Sequence, residues 1–512
     1  MEELLLGIDV GTTSVKASLY TPSHFQVVSA CRNYTLETPE NNLVEFPAEE
    51  YWNIVCQMTR ELMERAQGKV TALSLSCQGE TLICVDQSAK PLRKAIVWLD
   101  NRAEKEADEL KMMFSAQSIY EVCGQADMVA TWPAAKILWI RRKEPELFRQ
   151  TARYLLLADY LMLRMTGKAI GDSNLWASSA MLDIHTGRWW LEMLDYLGLK
   201  KDRLPTIVPC GTPVGRLRLE AAEQMGLPAD CLAVAGALDQ TCNMIGCGLT
   251  RSGSILETTG SCLAVGAVLD RFIPYKPGIK LTCQNFALPG SYTVLQWSQS
   301  AGMTLKWFAQ RFYPEESDME TVYHEIDREA EKVPPGSEGL VMLPHLTGAA
   351  NPEYDSNATG VFAGIRLGHG RAHFARAVME AVGCMLRRNL EQISSLGIQQ
   401  DHIYCAGGGA SSGLWLQIKA DLTGKTMVPI KTRDSACHGA AILAGVGSGL
   451  MDSIHWGAPP SDGRETMPEV SNRTVYEETY RNYILLYEAM KQYFAVVGGK
   501  KFYEKKDRAP FF

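Results

Sequence analysis

Residues 4 to 20, LLLGIDVGTTSVKASLY, decide the reading of the fold. Leu4 to Ile8 is a compact apolar run, Gly11-Thr12-Thr13 supplies a polar turn, and Val15 to Tyr20 alternates back into strand. The stretch therefore predicts a β-hairpin with a glycine- and threonine-bearing tip. The same order returns half a chain later. Ser254 to Glu257 reads as a short strand, Thr258-Thr259-Gly260-Ser261 as a polar turn, and Cys262 to Val268 as another strand. With no short-period repeat in the chain, an echo at this distance predicts two related domains facing each other.

The length agrees, because single hydrophobic cores stop growing near ~250–300 residues and this chain has 512. The division expected is an N-terminal domain over 1–248, a C-terminal domain over 249–470, and a terminal helix with a charged tail over 471–512. Strands are predicted at Val70 to Ser76, Leu82 to Val85 and His402 to Cys405. Helices are predicted at Arg102 to Met113, Ala134 to Lys143, Ala372 to Ser395, Leu414 to Leu422 and Tyr476 to Tyr493. The last is expected to pack on its own domain.

Composition narrows the function. With 46% hydrophobic and 21% charged residues the chain is an ordinary globular protein, and its net charge of −7 argues against a nucleic-acid partner. The basic cluster Lys500, Lys501, Lys505, Lys506 and Arg508 reads as a solvated tail. Fourteen cysteines without a C-x-x-C pair read as reduced, mostly buried thiols. The acidic start MEELLLGIDVG is not a signal peptide, and no run approaches the ~18 apolar residues of a membrane span. A cytoplasmic protein without a membrane partner is expected.

Two glycine-containing turns that present hydroxyls and backbone N–H groups are what a triphosphate requires. Asp9 ends the first strand just before its turn, where a carboxylate meets a phosphate-bound Mg²⁺ directly or through water; its alternative role is to stabilise the turn. Lys16 could offset charge on a transferred phosphoryl group, or simply be solvated. Asp239 follows the apolar run Cys231 to Leu238, a position suited to a general base, with a helix N-cap as the competing explanation.

Four segments together resemble the FGGY carbohydrate kinases, the family of glycerol kinase, xylulokinase, ribulokinase and gluconokinase. They are GIDVGTTSVK, GALDQ, WPAAKILWI (132–140) and, most specific, GVFAGIRLGHGRAHFARAVME (360–380). The resemblance runs from residue 4 to about residue 450. It implies an α/β fold of two actin-like, ribonuclease H-like domains with a catalytic cleft between them. It further implies ATP and Mg²⁺ as cofactors and a small sugar or polyol as substrate, and leaves a homodimer open. Carried over by residue, Asp9 would organise the metal, while Thr12, Thr13 and Lys16 would hold the transferred phosphoryl. Gly260 and Ser261 would form the second phosphate turn, Gly302, Gly408, Gly409 and Gly413 would line the nucleotide, and Asp239 would be the base.

The sugar pocket departs from the better-known members. SCQGETL, residues 76–82, resembles the corresponding run of glycerol kinases through Gln78, Glu80 and Thr81, but carries Gly79 where an arginine is expected. Asp239-Gln240 follows the same enzymes, Thr131 replaces a pocket tyrosine, and WLDNRA at 98–103 is closer to the pentulose kinases. With Trp98 and Trp132 these residues make the expected sugar site. Smaller groups at 79 and 131 predict a wider pocket and a longer substrate: a ketopentose, with glycerol, erythritol or another short polyol as the alternative.

Rival readings are weaker. Gly409-Ala410-Ser411-Ser412-Gly413 fits a G-x-S-x-G nucleophile elbow, with Asp434 and His438 downstream. GKT at 424–426 lacks the upstream glycine of a Walker A loop, and His369 with His373 lacks the Glu of a zinc motif, leaving capping or packing as their role. A non-catalytic sugar or ATP sensor on the same scaffold is the remaining alternative.

Overall fold

The computed structural model describes residues 2–39, 43–278, 280–298, 300–313, 318–431, 434–457, 459–461 and 463–497. The basic tail singled out above lies outside them. The chain forms two compact units that are not continuous in sequence. The first contains Met1–Ser252, Val268–Val294 and Thr432–Pro460; the second contains Gly253–Ala267, Leu295–Lys431 and the chain from Ser461 onward.

In the first unit, strands β1 (Glu3–Val10), β2 (Ser14–Tyr20), β3 (Gln26–Asn33), β4 (Lys69–Cys77), β5 (Pro213–Arg216) and β6 (Leu232–Leu238) form one sheet in the order β5-β6-β4-β1-β2-β3. β1 runs antiparallel to β2 and parallel to β4, and β4 runs parallel to β6. These central strands are nearly continuous apolar runs because both faces are covered. One cover is the helix Ser435–Ser448, whose small residues allow contact between backbones. A Cβ on Gly7 of β1 would lie 1.8 Å from the Cys437 carbonyl oxygen, and one on Gly439 would lie 1.9 Å from that of Cys242. Leu5, Tyr20, Ala72, Val234, Cys437, Ala441 and Ala444 form the core there.

The second unit repeats the plan. β7 (Ile255–Thr259), β8 (Leu263–Leu269), β9 (Tyr292–Ser298), β10 (His402–Ala406) and β11 (Thr426–Pro429) follow the order β9-β8-β7-β10-β11. β7 is antiparallel to β8 and parallel to β10, as β1 is to β2 and β4. The two predicted hairpins are thus equivalent elements of two ribonuclease H-like sheets.

The long signature segment enters the helix Arg371–Ser395, where its residues serve the fold. Glu380, 2% exposed, accepts from the Gly336 amide (2.8 Å), Ser337 Oγ (2.8 Å), Arg376 Nε (2.9 Å) and the Tyr476 hydroxyl (3.2 Å). One carboxylate so ties the Gly336-Ser337 turn to the helix Arg473–Val497, which packs within its own unit. His369 Nδ1 accepts from the Arg366 amide and His373 Nδ1 from the Gly370 amide, the capping role expected of them. None of the fourteen cysteines forms a disulfide among the described residues, and eleven are buried. No helix of the described residues is long and apolar enough to cross a membrane.

Candidate active site

In open α/β sheets ligands collect beyond the carboxyl ends of parallel strands. In the first unit β1, β4 and β6 end at one edge, and their register brings the sequence-predicted groups together. Asp9 pairs with Lys16 on one side and Ser76 on the other, and Ser76 pairs with Ala237, two residues before Asp239.

Asp239 is the first residue of the helix Asp239–Gly246, whose N-cap is Leu238. It is therefore not the cap, although its Oδ1 accepts from the Gln240 amide at 2.6 Å. Burial raises its pKa, the carboxylates of Asp9 and Glu80 raise it further, and the Gln240 amide opposes them, leaving it at about 7. A carboxylate poised there can take a proton from a hydroxyl at neutral pH. Its position is braced by a residue that sequence reasoning missed: Asn174, fully buried, accepts from the Leu238 amide at 2.9 Å through Oδ1.

Asp9 accepts from Ser76 Oγ at 2.7 Å, and burial pushes its pKa up against the opposing effects of Ser76 and Lys16. A half-buried carboxylate whose charge is disfavoured suits a divalent cation. No cluster of three or more His, Cys, Asp or Glu that could hold a metal occurs among the described residues. One carboxylate, completed by water and phosphate oxygens, is how Mg²⁺ is commonly held, and Asp9 fits that use. Lys16 Nζ lies 3.8 Å from Asp434 Oδ1, both partly exposed. Thr12 Oγ1 accepts from Trp98 Nε1 at 2.8 Å, and Thr13 stands exposed at the hairpin tip.

Gln78 is 2% exposed; its Nε2 donates to the Tyr51 hydroxyl at 3.3 Å, while its Oε1 is buried without a partner. Glu80 occupies the left-handed region at φ 56°, unusual for a residue with a long side chain. Its pKa is raised by burial, which Ser178 and Lys136 beside it oppose. Gln240, Thr131 and Trp132 are half-buried, and Trp132 Nε1 donates to the Asp127 carbonyl at 2.9 Å. No open space adjoins Gly79 itself. Gly79 is buried, and a Cβ there would meet Leu238 Cδ1 at 3.1 Å and Ser178 Oγ at 3.4 Å. Leu238 and Ser178 pack closely against its α-carbon side.

In the second unit the turn after β7 is held from below. The amides of Ala301 and Met303 donate to the Ser261 carbonyl at 3.1 and 3.0 Å, and that of Gly302 to the Gly260 carbonyl at 2.9 Å. A Cβ on Gly302 would lie 2.2 Å from the Gly260 oxygen, so glycine is needed there for close approach. Gly260 itself faces open space, as do Gly408 and Gly413, while a Cβ on Gly409 would strike Thr259. Beneath the turn Lys419 Nζ donates to Glu257 Oε1 (2.6 Å) and Thr259 Oγ1 (2.8 Å), with all of its side chain buried. The surface left by these contacts is a set of side-chain-free backbone segments, suited to phosphate and to a flat base. The nucleophile-elbow reading finds no support: both nitrogens of His438 are engaged, by the Gly246 carbonyl and by His24.

Two hydroxyl-tipped hairpins on a duplicated α/β plan, one beside a raised-pKa carboxylate, are the arrangement expected of a phosphotransferase of the actin-like class. Comparison with known proteins agrees. The pattern described as the FGGY family of carbohydrate kinases, N-terminal domain, matches residues 4–246, and that of its C-terminal domain matches 258–448. The chain belongs to the FGGY family of carbohydrate kinases: it is an enzyme that phosphorylates an alcohol group, and kinases of this family use ATP. A xylulose kinase of Bacillus subtilis (strain 168) is 29% identical over 456 residues, covering 88% of this chain and 89% of its own. A gluconokinase of Bacillus licheniformis is 28% identical over 464 residues, covering 89% of each. The crystal structure of a ligand-bound xylulose kinase from Lactobacillus acidophilus matches with a TM-score of 0.89 at 26% identity, over 96% of this chain and 99% of that one.

Proposed function

We propose that the enzyme transfers the γ-phosphoryl group of ATP to a hydroxyl of a neutral ketopentose, xylulose first, with Asp239 as the base. The observation that carries this reading is the Asp239 carboxylate, tuned by burial and by Asp9 to titrate at about 7, at the edge where β1, β4 and β6 end. Asp239 accepts the proton as the hydroxyl oxygen bonds to phosphorus and the bond from phosphorus to the departing ADP oxygen breaks. Lys16 and the Thr12-Thr13 turn offset charge on the moving phosphoryl group, and Asp9 holds Mg²⁺. The metal supplies charge neutralisation at the phosphates. In the second unit Gly260 and Ser261 receive phosphate oxygens, and the open backbone at Gly408 and Gly413 receives the base.

A neutral substrate is favoured because the sugar groups are acceptors: Gln78 Oε1 lacks a partner, and Glu80 and Asp239 are carboxylates. Sugar hydroxyls donate to such groups, whereas an aldonate adds a further negative charge. The named relatives include both substrate types, so the test is direct. In an ATP-coupled assay over xylulose, ribulose, erythritol, glycerol and gluconate, a ketopentose should give the highest kcat/KM. First place for gluconate would reverse the charge argument, and first place for glycerol the argument from Thr131. Fourteen cysteines that form no disulfide among the described residues suit the cytoplasm.

The second turn gives another test. Gly260→Val projects into open space and leaves the fold intact, but it places bulk where phosphate must approach backbone. The KM for ATP should rise at least tenfold with the sugar KM within about twofold, since each charge-assisted contact is worth ~1.5–3 kcal/mol. Unchanged ATP kinetics would remove this turn from the nucleotide site.

A further inference from the structure

The segment WPAAKILWI contains one side chain that its apolar pattern does not explain. Lys136 lies on the helix Pro133–Lys143 with 0% exposure, although lysine is almost never fully buried unless paired. Its Nζ donates to the backbone carbonyl of Glu80 and to that of Val97, each at 3.0 Å. These carbonyls belong to two separate segments. One is the tight turn Gly79–Thr81, where the Thr81 amide donates to the Gly79 carbonyl at 2.7 Å and Glu80 adopts φ 56°. The other leads directly into Trp98, whose amide donates to Thr81 Oγ1 at 3.2 Å and whose indole donates to Thr12. One ammonium therefore joins a strained turn, an aromatic side chain and, through that side chain, the first hairpin.

The charge matters as much as the hydrogen bonds. Burial disfavours the ammonium and, separately, the Glu80 carboxylate, while each favours the charged form of the other. Asp100, also near Lys136, is engaged by Arg102 and by the Val44 amide. Backbone strain of this kind persists only where the surroundings enforce it, and it gathers at functional sites.

We propose that Lys136 is the positioning residue of the sugar pocket: by holding the carbonyls of Glu80 and Val97 together, its ammonium sets the Glu80 carboxylate and Trp98 where the sugar hydroxyls meet them. The proposal rests on the reading that Glu80 takes part in sugar binding. Lys136 does not touch the sugar; it acts through the two segments it joins.

The experiment compares Lys136→Met, Glu80→Gln and the double variant in the full-length enzyme, using the best substrate of the panel above. Lys136→Met should raise the sugar KM roughly tenfold or more, the size of one lost charge-assisted hydrogen bond, with the ATP KM within about twofold. A purely structural lysine would lower the melting temperature and the active fraction but leave both KM values alone, and that result would overturn the proposal. Glu80→Gln separates the proposal from the reading beneath it. A raised sugar KM in Glu80→Gln with a normal one in folded Lys136→Met sinks the positioning role alone, whereas normal values in both remove Glu80 from the pocket and the proposal with it. If Lys136→Met does not fold, the double variant, which removes both charges together, takes its place. Its sugar KM should exceed that of Glu80→Gln, because Trp98 is also released; equality would overturn the proposal.

Discussion

Asp239→Asn should lower kcat by ~10²–10⁴-fold, the contribution of a well-placed general base, equal to about 3–5 kcal/mol of barrier. Asparagine keeps the size of the side chain and can still hydrogen-bond a sugar hydroxyl, so the KM for ATP should stay near that of the parent enzyme. The alternative role of Asp239 makes the opposite forecast. Asparagine caps helices as well as aspartate does, and here the cap is Leu238 in any case. A near-normal kcat in this variant would end the assignment of Asp239 as base.

The same carboxylate predicts two pH dependences. Asp239 titrates at about 7 in the folded enzyme, so kcat/KM for the parent should fall as pH drops through about 7, and the residual activity of Asp239→Asn should lack that limb. For stability the sign is reversed from that of a salt-bridged carboxylate. The folded pKa is raised above the unfolded value of ~3.9. Below that value both states hold the proton and the group has no effect. As pH rises from there to about 7 the unfolded chain ionises first, so the folded state loses stability progressively. Asp239→Asn should therefore melt higher than the parent at pH 8 and differ less at pH 5.

The hairpins were legible because their information is local: an apolar run, a small polar turn and an alternating strand specify β1–β2 and β7–β8 without reference to the rest of the chain. The placement of Asp9 at the end of β1 and of Asp239 just after β6 was legible for the same reason. What escaped depends on packing across sequence distance. β3 is an edge strand whose residues are largely half-buried or exposed, so it lacks a clear two-residue period. The helix Ser435–Ser448 is apolar on all sides, and nothing in its sequence says that it covers β1 more than 400 residues away. At Gly79 the absence of a side chain suggested empty space, but close packing filled it with Leu238 and Ser178. Asn174 carries no local motif, and only its bond to the Leu238 amide reveals it.

The buried pair under the second turn supports the other large effect. Lys419 and Glu257 are both 0% exposed; Lys419 Nζ reaches Glu257 Oε1 at 2.6 Å, and Thr259 Oγ1 donates to Glu257 Oε2 at 2.7 Å. Removing one charge from such a pair leaves the other buried and uncompensated, which costs about 3–5 kcal/mol. Lys419→Met should lower the stability of the enzyme by that amount in chemical or thermal unfolding. The loss is not set by side-chain size, since methionine occupies similar volume and keeps contact with Trp415, over whose ring the ammonium sits at 5.2 Å. Replacing both partners, as Lys419→Met with Glu257→Leu, removes the stranded carboxylate and should recover most of the loss. Nucleotide use should not recover with it. Thr259 precedes Gly260, and its side chain lies against Gly409, so the triad sets the spacing of the two backbone segments assigned to the nucleotide. A stable double variant with a raised KM for ATP is the expected result. If the double variant instead regained both stability and normal ATP kinetics, the pair would matter only to the core, and the alignment of the two segments would have to come from the close approach of Gly407 to the Thr259 and Gly260 backbone.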